Sequence, residues 1–283
     1  MCLIVFGLHA HPRYPLVVAA NRDEFVARPS EPAGFWPGYD GLLAGRDLAA
    51  GGAWMGVTRS GRFAALTNVR DPRAFDGSAP SRGELVVRFL AGTEEPIAHL
   101  GDLAASGERR NGFNLLAAAN GRLAWYSNAG GEPLEVDAGV HAVSNALLDT
   151  PWPKVRRSAA GLARILGRGV ALDPEELFAF LAEREPAPDG ELPDTGVGLA
   201  AERLLSSPFI AAPDYGTRGS TLLLVTPAGR ATFLERLFDG AFCVAGTTRF
   251  EVDFRGWDPP GRVSGPSHLR TGFKTPESDP PEG

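Results

Sequence analysis

The sequence predicts an α+β fold in which antiparallel sheets carry helices segregated onto their outer faces. Two observations lead there. Short apolar runs bounded by turn residues open the chain, a pair of helical patterns follows, strands resume, helices return and a hairpin closes. No repeat period and no linker divides the chain into two cores, so one domain is expected over residues 1–264. Residues 265–283, rich in Pro, Ser and Glu, are expected to form a disordered tail.

Residues 3–6 and 16–20 are continuous apolar runs too short for helices. Between them His11, Pro12, Arg13, Tyr14 and Pro15 supply turn chemistry, because proline fixes φ and removes an amide donor. If Leu8 pairs near Leu16 or Val17, antiparallel counting places Cys2 opposite Arg22 or Asp23.

Residues 25–39 hold Pro29, Pro32 and Pro37 with the adjacent aromatics Phe35 and Trp36, and read as a long irregular segment. Its aromatics are either one wall of a ligand pocket or apolar anchors pinning a surface loop. Residues 42–47, 52–58 and 63–68 read as strands, with a hairpin turn at 59–62. The pair Gly51-Gly52 before Trp54 signals backbone passing close to another element or to substrate.

Ser81 and Glu84 have capping-box spacing ahead of Leu85, Val86, Phe89 and Leu90, and a second helix is expected over 95–105. A hairpin over Asn120-Gly121 joins 113–118 to 123–127, and 140–144 is a short strand ending at Asn145. Helices are expected at 153–166, at 173–182 with Asp173 as cap and Glu176 completing its box, and at 198–205. The acidic, Pro/Gly-rich stretch 185–195 between them reads as a flexible loop. Residues 222–226 and 231–238 form a hairpin, and 252–255 a last strand.

Composition excludes some classes of function. The chain has 283 residues, 43% hydrophobic and 22% charged, with a net charge of −6, which favours neither nucleic acid nor an anionic membrane as partner. No apolar run approaches the roughly 20 residues of a membrane span, and the opening lacks the basic start of a signal peptide. Cys2 and Cys243 make no disulfide framework, so the cytoplasm is the expected compartment and Cys243 a packed strand residue. His9 and His11 have no companion at ligand spacing and no phosphate-cradling glycine loop is present, so neither metal nor nucleotide is expected. The expected partner is a small molecule; the sequence leaves the oligomeric state open.

Removal of Met1 would leave Cys2 with its own α-amine, whose reference pKa of roughly 7.7–8.0 suits it to take the thiol proton. Nucleophile and base would then share one residue. The plain alternative is a small buried hydrophobe. Acyl transfer also needs donors where negative charge develops, and Asn68 and Asn145, each ending an apolar strand, can supply them or merely end strands. Arg218, entering an apolar strand, is expected to pair with Asp23 or Glu24, either stabilising a thiolate or holding a sheet edge.

Cys2 with Asn21-Arg22-Asp23-Glu24 resembles the NRDE family, also called the transport and Golgi organisation protein 2 family. The likeness continues through Gly45-Arg46-Asp47, Gly51-Gly52-Ala53-Trp54-Met55-Gly56, Leu66-Thr67-Asn68-Val69-Arg70, Ser144-Asn145 and Thr217-Arg218-Gly219-Ser220-Thr221. That family is in turn similar to the cysteine N-terminal-nucleophile (Ntn) hydrolases, among them penicillin V acylase and bile salt hydrolase. The resemblance implies a four-layer αββα sandwich of two antiparallel sheets and hydrolysis of a small acyl amide. Cys2, Arg22, Asp23, Asn68, Asn145 and Arg218 would be its catalytic residues, and Asn21, Glu24, Trp54, Phe35 and Trp36 would contact substrate. The hydrolases carry arginine, asparagine, any residue and aspartate in that order, where this chain has Asn21-Arg22-Asp23-Glu24. Either acid could therefore orient the amine, and either Asn21 or Arg22 could face the thiol. Relatives connected with haem trafficking and lipid handling imply an alternative, a non-catalytic carrier. Haem would then be a ligand held by His141 or Cys2, although no Cys-x-x-Cys-His motif is present.

Overall fold

The computed structural model describes residues 2–257. Met1, whose removal is expected, and the expected tail at 265–283 lie outside the described residues.

The first two apolar runs pair as β1 (Cys2–His11) and β2 (Tyr14–Phe25), with Leu8 opposite Leu16 and Cys2 opposite Arg22. The segment expected to be irregular contains a strand, β3 (Ser30–Phe35), paired with β4 (Leu42–Asp47) at a sheet edge. The register shifts between Glu31 and Gly34, so Pro32 falls at an irregular step where its missing N–H is tolerated. β5 (Met55–Thr58), β6 (Phe63–Asn68), α1 (Gly83–Ala91), α2 (Pro96–Ala105), β7 (Phe113–Ala119), β8 (Arg122–Ser127), a two-residue β9 (Leu134–Glu135) and β10 (Gly139–Val143) follow. Then come α3 (Pro153–Leu166), α4 (Pro174–Leu181), α5 (Leu199–Leu204), β11 (Tyr215–Thr226), β12 (Arg230–Phe238) and β13 (Val244–Asp253).

Two antiparallel sheets result, one in the order β10-β1-β2-β11-β12-β13 and the other β3-β4-β5-β6-β7-β8-β9. Three apolar cores separate four layers. Phe6, Phe63, Trp125 and Phe233 fill the space between the sheets. Leu85, Phe89 and Leu100 seal α1 and α2 against the second sheet, and Val155, Leu162, Leu177 and Phe178 seal α3 and α4 against the first. Ile4, Phe6 and Leu8 enter the inter-sheet core while Val5 enters the helical one. A strand buried on both faces has no polar alternation to show, which is why residues 3–6 read as a continuous apolar run.

Local expectations fail where tertiary contacts decide. Ser81 and Glu84 make no capping box: Arg82 is the N-cap without a side-chain bond, and Glu84 pairs with Arg110 at 3.0 Å. The helix entrance is held by backbone instead, Ala53 N–H donating to Gly83 O at 3.2 Å. Asp173 does cap α4, accepting from Glu175 N at 3.0 Å, but Glu176 pairs with Arg168 and closes no box. Residues 185–195 include a short 3-10 turn, Asp189–Glu191, tied by Asp189 to Arg203. The final strand starts eight residues earlier than expected, at Val244. Cys243 is exposed rather than packed, because the Asp239 carboxylate accepts from Ala241 N and Cys243 N at 2.9 Å and shapes a turn there.

Candidate active site

β1 and β2 set the site by alternation. Directly opposed residues of an antiparallel pair share a face, so Arg22 lies on the inter-sheet face with Cys2, while Asn21 and Asp23 turn toward the helical layer. Cys2 is 7% exposed and borders a cavity of about 340 Å³ between the ends of the two sheets. Arg22, Asp23, Glu24, Trp54, Asn68 and Arg218 share that wall. Burial pushes the Cys2 thiol above its ordinary range, the Asp23 charge adds to this, and the Asp23 main-chain N–H and Arg22 oppose it.

Of the other expected residues, Asn21, Phe35 and Trp36 lie away from the cavity, while Glu24 and Arg218 on its wall are bonded to neighbours. Asn21 is fully buried; its amide donates to Leu181 O and Pro208 O, each at 2.9 Å, and its oxygen accepts from Ser220 Oγ at 2.6 Å. It fastens β2 to the end of α4 and to β11, and does not line the cavity. Phe35, on edge strand β3, packs edge-on to Phe250 with Arg59 over its ring, and Trp36 donates to Ala44 O at 2.9 Å beneath Arg46. Neither aromatic reaches the cavity, because the strand they end turns them toward the sheet margin. Arg218 pairs with neither acid: it sits at a bulge between Thr217 and Gly219 and donates to Asp239 O at 2.6 Å. Glu24 is taken up by its own neighbours, Phe25 N at 2.9 Å and Arg28 at 3.6 Å.

Asp23 is 1% exposed and accepts from Thr217 Oγ1 at 2.7 Å. Burial raises its pKa, and the strongest opposing charge is Lys154. Lys154, in the first turn of α3, is also 1% exposed, and burial lowers it to about 8. Asn145, likewise buried, stands back from the cavity. Its Nδ2 donates to Asn68 O at 3.0 Å, and its Oδ1 collects Ser144 Oγ at 3.2 Å, Arg70 Nη2 at 3.3 Å and Lys154 Nζ at 3.4 Å. Ser144 Oγ continues to Cys2 O at 3.0 Å, and Arg70 pairs with buried Glu202 at 2.5 Å. Asn68 is therefore the cavity-facing asparagine, and Asn145 supports it from behind.

Sequence reasoning passed over Lys154, Arg70, Glu202 and Thr217. Two signals were available. Lys154 is one of only two lysines, the other being Lys274. Arg70 and Thr217 lie inside the motif segments already quoted. Glu235, reaching from β12 to accept Ala33 N–H at 2.6 Å, adds a buried carboxyl to the cavity wall, raised by burial. His141, which the carrier alternative names as a haem ligand, has hydrogen-bond partners on both ring nitrogens: Nδ1 lies 2.7 Å from Asp149 Oδ2 and Nε2 3.1 Å from Asp137 O. Among the described residues no helix is long and apolar enough to cross a membrane.

Comparison with known proteins agrees with the layered fold. A solved structure of a mutant conjugated bile acid hydrolase from Clostridium perfringens superposes with a TM-score of 0.52 at 8% identity, covering 92% of this chain and 94% of that one. At that identity the likeness speaks to the fold, that of the Ntn hydrolases. The Transport and Golgi organization protein 2 homolog of Bos taurus is 37% identical over 261 residues, covering 85% of this chain and 94% of its own length. The Homo sapiens homolog is 36% identical over 256 residues, covering 83% and 92%. The family model described as Transport and Golgi organisation 2 matches residues 1–240, and the chain belongs to that family.

Proposed function

We propose that the chain hydrolyses a small acyl amide through Cys2 once Met1 is removed. The observation that carries this reading is the placement of Cys2 and Asn68, from different sheets, on the wall of one cavity of about 340 Å³. The α-amine of Cys2 takes the thiol proton, the thiolate attacks the acyl carbon, and the Asn68 amide donates to the developing oxyanion. The ammonium returns its proton to the departing amine, and water then cleaves the thioester. Asp23, whose charge acts on Cys2, orients the amine, and Arg22 directly across the strand pair favours the thiolate. The protein of like fold is itself named a hydrolase of conjugated bile acids, which supports the reaction class.

The raised Cys2 thiol explains why processing matters. A buried thiol without an adjacent base is a poor nucleophile at neutral pH. Intact mass measures loss of Met1, and an electrophilic thiol probe at neutral pH compares Cys2 with exposed Cys243 as internal reference. Faster labelling of Cys2, with turnover of small acyl amides that vanishes in Cys2→Ser, supports the reading. Retained Met1 overturns it.

The family description, which speaks of transport, supports a second reading, a non-catalytic carrier of haem or lipid. A ligand that protects Cys2 from the probe and is recovered chemically unchanged would select it.

A further inference from the structure

The N-terminus of a helix is a poor place for a buried cation, since burial and the helix dipole both oppose it. Lys154 occupies that place, one residue after the Pro153 that opens α3. Its aliphatic stem does not carry the charge to water, because the whole side chain is 1% exposed. Something in the interior must compensate it. The groups acting on it come from three elements and a loop: Asp23 on β2, Arg70 in the segment after β6, Cys2 on β1 and Glu202 on α5. Those acting on Cys2 are the chain's amino terminus, Asp23 and Arg22, with Arg82 and Tyr215 also coupled to it. Within the buried cluster behind Cys2, Arg70 pairs with Glu202, and Asp23 is the strongest attraction on Lys154.

Contacts connect the ammonium to the nucleophile. Lys154 Nζ meets Asn145 Oδ1 at 3.4 Å, that oxygen accepts Ser144 Oγ at 3.2 Å, and Ser144 Oγ donates also to Cys2 O at 3.0 Å. With Oδ1 facing two cations, the Asn145 amide has one orientation, Nδ2 toward Asn68 O at 3.0 Å. We propose that Lys154 is a positioning residue of the Cys2 centre, its ammonium fixing the Asn145 amide that anchors Asn68 behind the thiol. The inference rests on the hydrolase reading for its catalytic meaning, but the coupling between Lys154 and Cys2 is measurable without turnover.

The chain's two lysines make that measurement direct. Full-length Cys243→Ser protein with 13C-labelled lysine gives two side-chain resonances, followed by NMR over pH before and after capping Cys2 with iodoacetamide. Lys274 should titrate near the ordinary lysine value of about 10.4 in both samples. Lys154 should titrate well below it, near 8, and move lower when the thiolate can no longer form. In parallel, Lys154→Met should raise the pH midpoint of Cys2 labelling by about one unit, the usual effect of deleting a nearby opposite charge, and Lys154→Arg should restore it. Equal titration of both lysines, indifference of Lys154 to capping, or an unmoved midpoint in Lys154→Met overturns the proposal. The NMR arm needs no substitution at Lys154 and decides the matter if Lys154→Met fails to fold. Coupling without acyl transfer would sink the hydrolase reading alone; acyl transfer without coupling would sink only the role of Lys154.

Discussion

The side-chain amide of Asn145 donates to the main-chain carbonyl of Asn68 at 3.0 Å, joining the end of β10 in one sheet to the end of β6 in the other. Arg70 N–H returns to Asn145 O at 2.8 Å, so the tie is reciprocal. Two asparagines that look alike in sequence thereby take different duties. One is exposed to the cavity, and the other spends its polar atoms holding the first in place.

That division predicts different outcomes for the same substitution. Asn68→Ala should lower kcat/KM for acyl transfer by about 10²–10³, the usual loss on removing an oxyanion donor, with a urea midpoint close to wild type. Asn145→Ala should cost on the order of 3 kcal/mol of stability, because Arg70, Lys154 and Ser144 each lose a buried acceptor. Paired urea titrations and steady-state kinetics distinguish the two.

Asn21 opens the motif segment yet behaves as a fastener. Asn21→Leu should destabilise by about 2–4 kcal/mol, since Leu181 O, Pro208 O and Ser220 Oγ lose partners in a buried place. Labelling of Cys2 at neutral pH should keep its wild-type rate. A large loss of labelling in a variant that remains folded would return Asn21 to the site.

The layered fold and the strand pairing of Cys2 were legible because apolar periodicity and proline turns are local signals. Counting from Leu8 to Leu16 sufficed to place Cys2 opposite Arg22. Parity then decides between Asn21 and Arg22, but only once it is known which face of β2 meets the other sheet. Phe35 and Trp36 were misplaced because Pro32 hid an edge strand whose bulge admits it. Lys154 was missed for a different reason. Its significance comes from Asp23 and Asn145, which lie far from it in sequence or on another element, and no spacing along one helix records that. Arg218 likewise reads as a partner for an acid until the bulge at Thr217 turns it to Asp239 O.

Glu235 carries a pH prediction. Burial raises its folded-state pKa, so its contribution to stability is full below the ordinary glutamate range and is lost as pH rises through the folded value. Near neutrality the wild type bears the cost of the buried carboxyl, as a desolvated charge or as the proton it must take up, whereas glutamine keeps an acceptor for Ala33 N–H without either. Glu235→Gln should therefore be more stable than wild type at pH 7–8 by on the order of 1–3 kcal/mol, with the gain vanishing toward about pH 4. Urea unfolding across that range checks the sign; a gain that grows on acidification would reverse it.

The two adjacent glycines before Trp54 should respond differently, because one is needed for its backbone angle and the other for its missing side chain. Gly51 has φ +75° with open space where a Cβ would sit, so Gly51→Ala should cost only the left-handed penalty of roughly 1–2 kcal/mol. Gly52 has no such φ, but a Cβ there would lie 2.4 Å from the Gly83 carbonyl carbon and 2.8 Å from Glu84 N. Those are backbone atoms at the entrance of α1, and they cannot swing aside as a side chain would. Relief requires α1 to move as a unit, and with it Arg82, whose guanidinium borders the cavity and acts electrostatically on Cys2. Gly52→Ala should lose about 1–3 kcal/mol by overpacking and should also slow Cys2 labelling, whereas Gly51→Ala should leave labelling unchanged. Equal labelling in the two variants would show that the contact between Gly52 and Gly83 holds the fold without shaping the site.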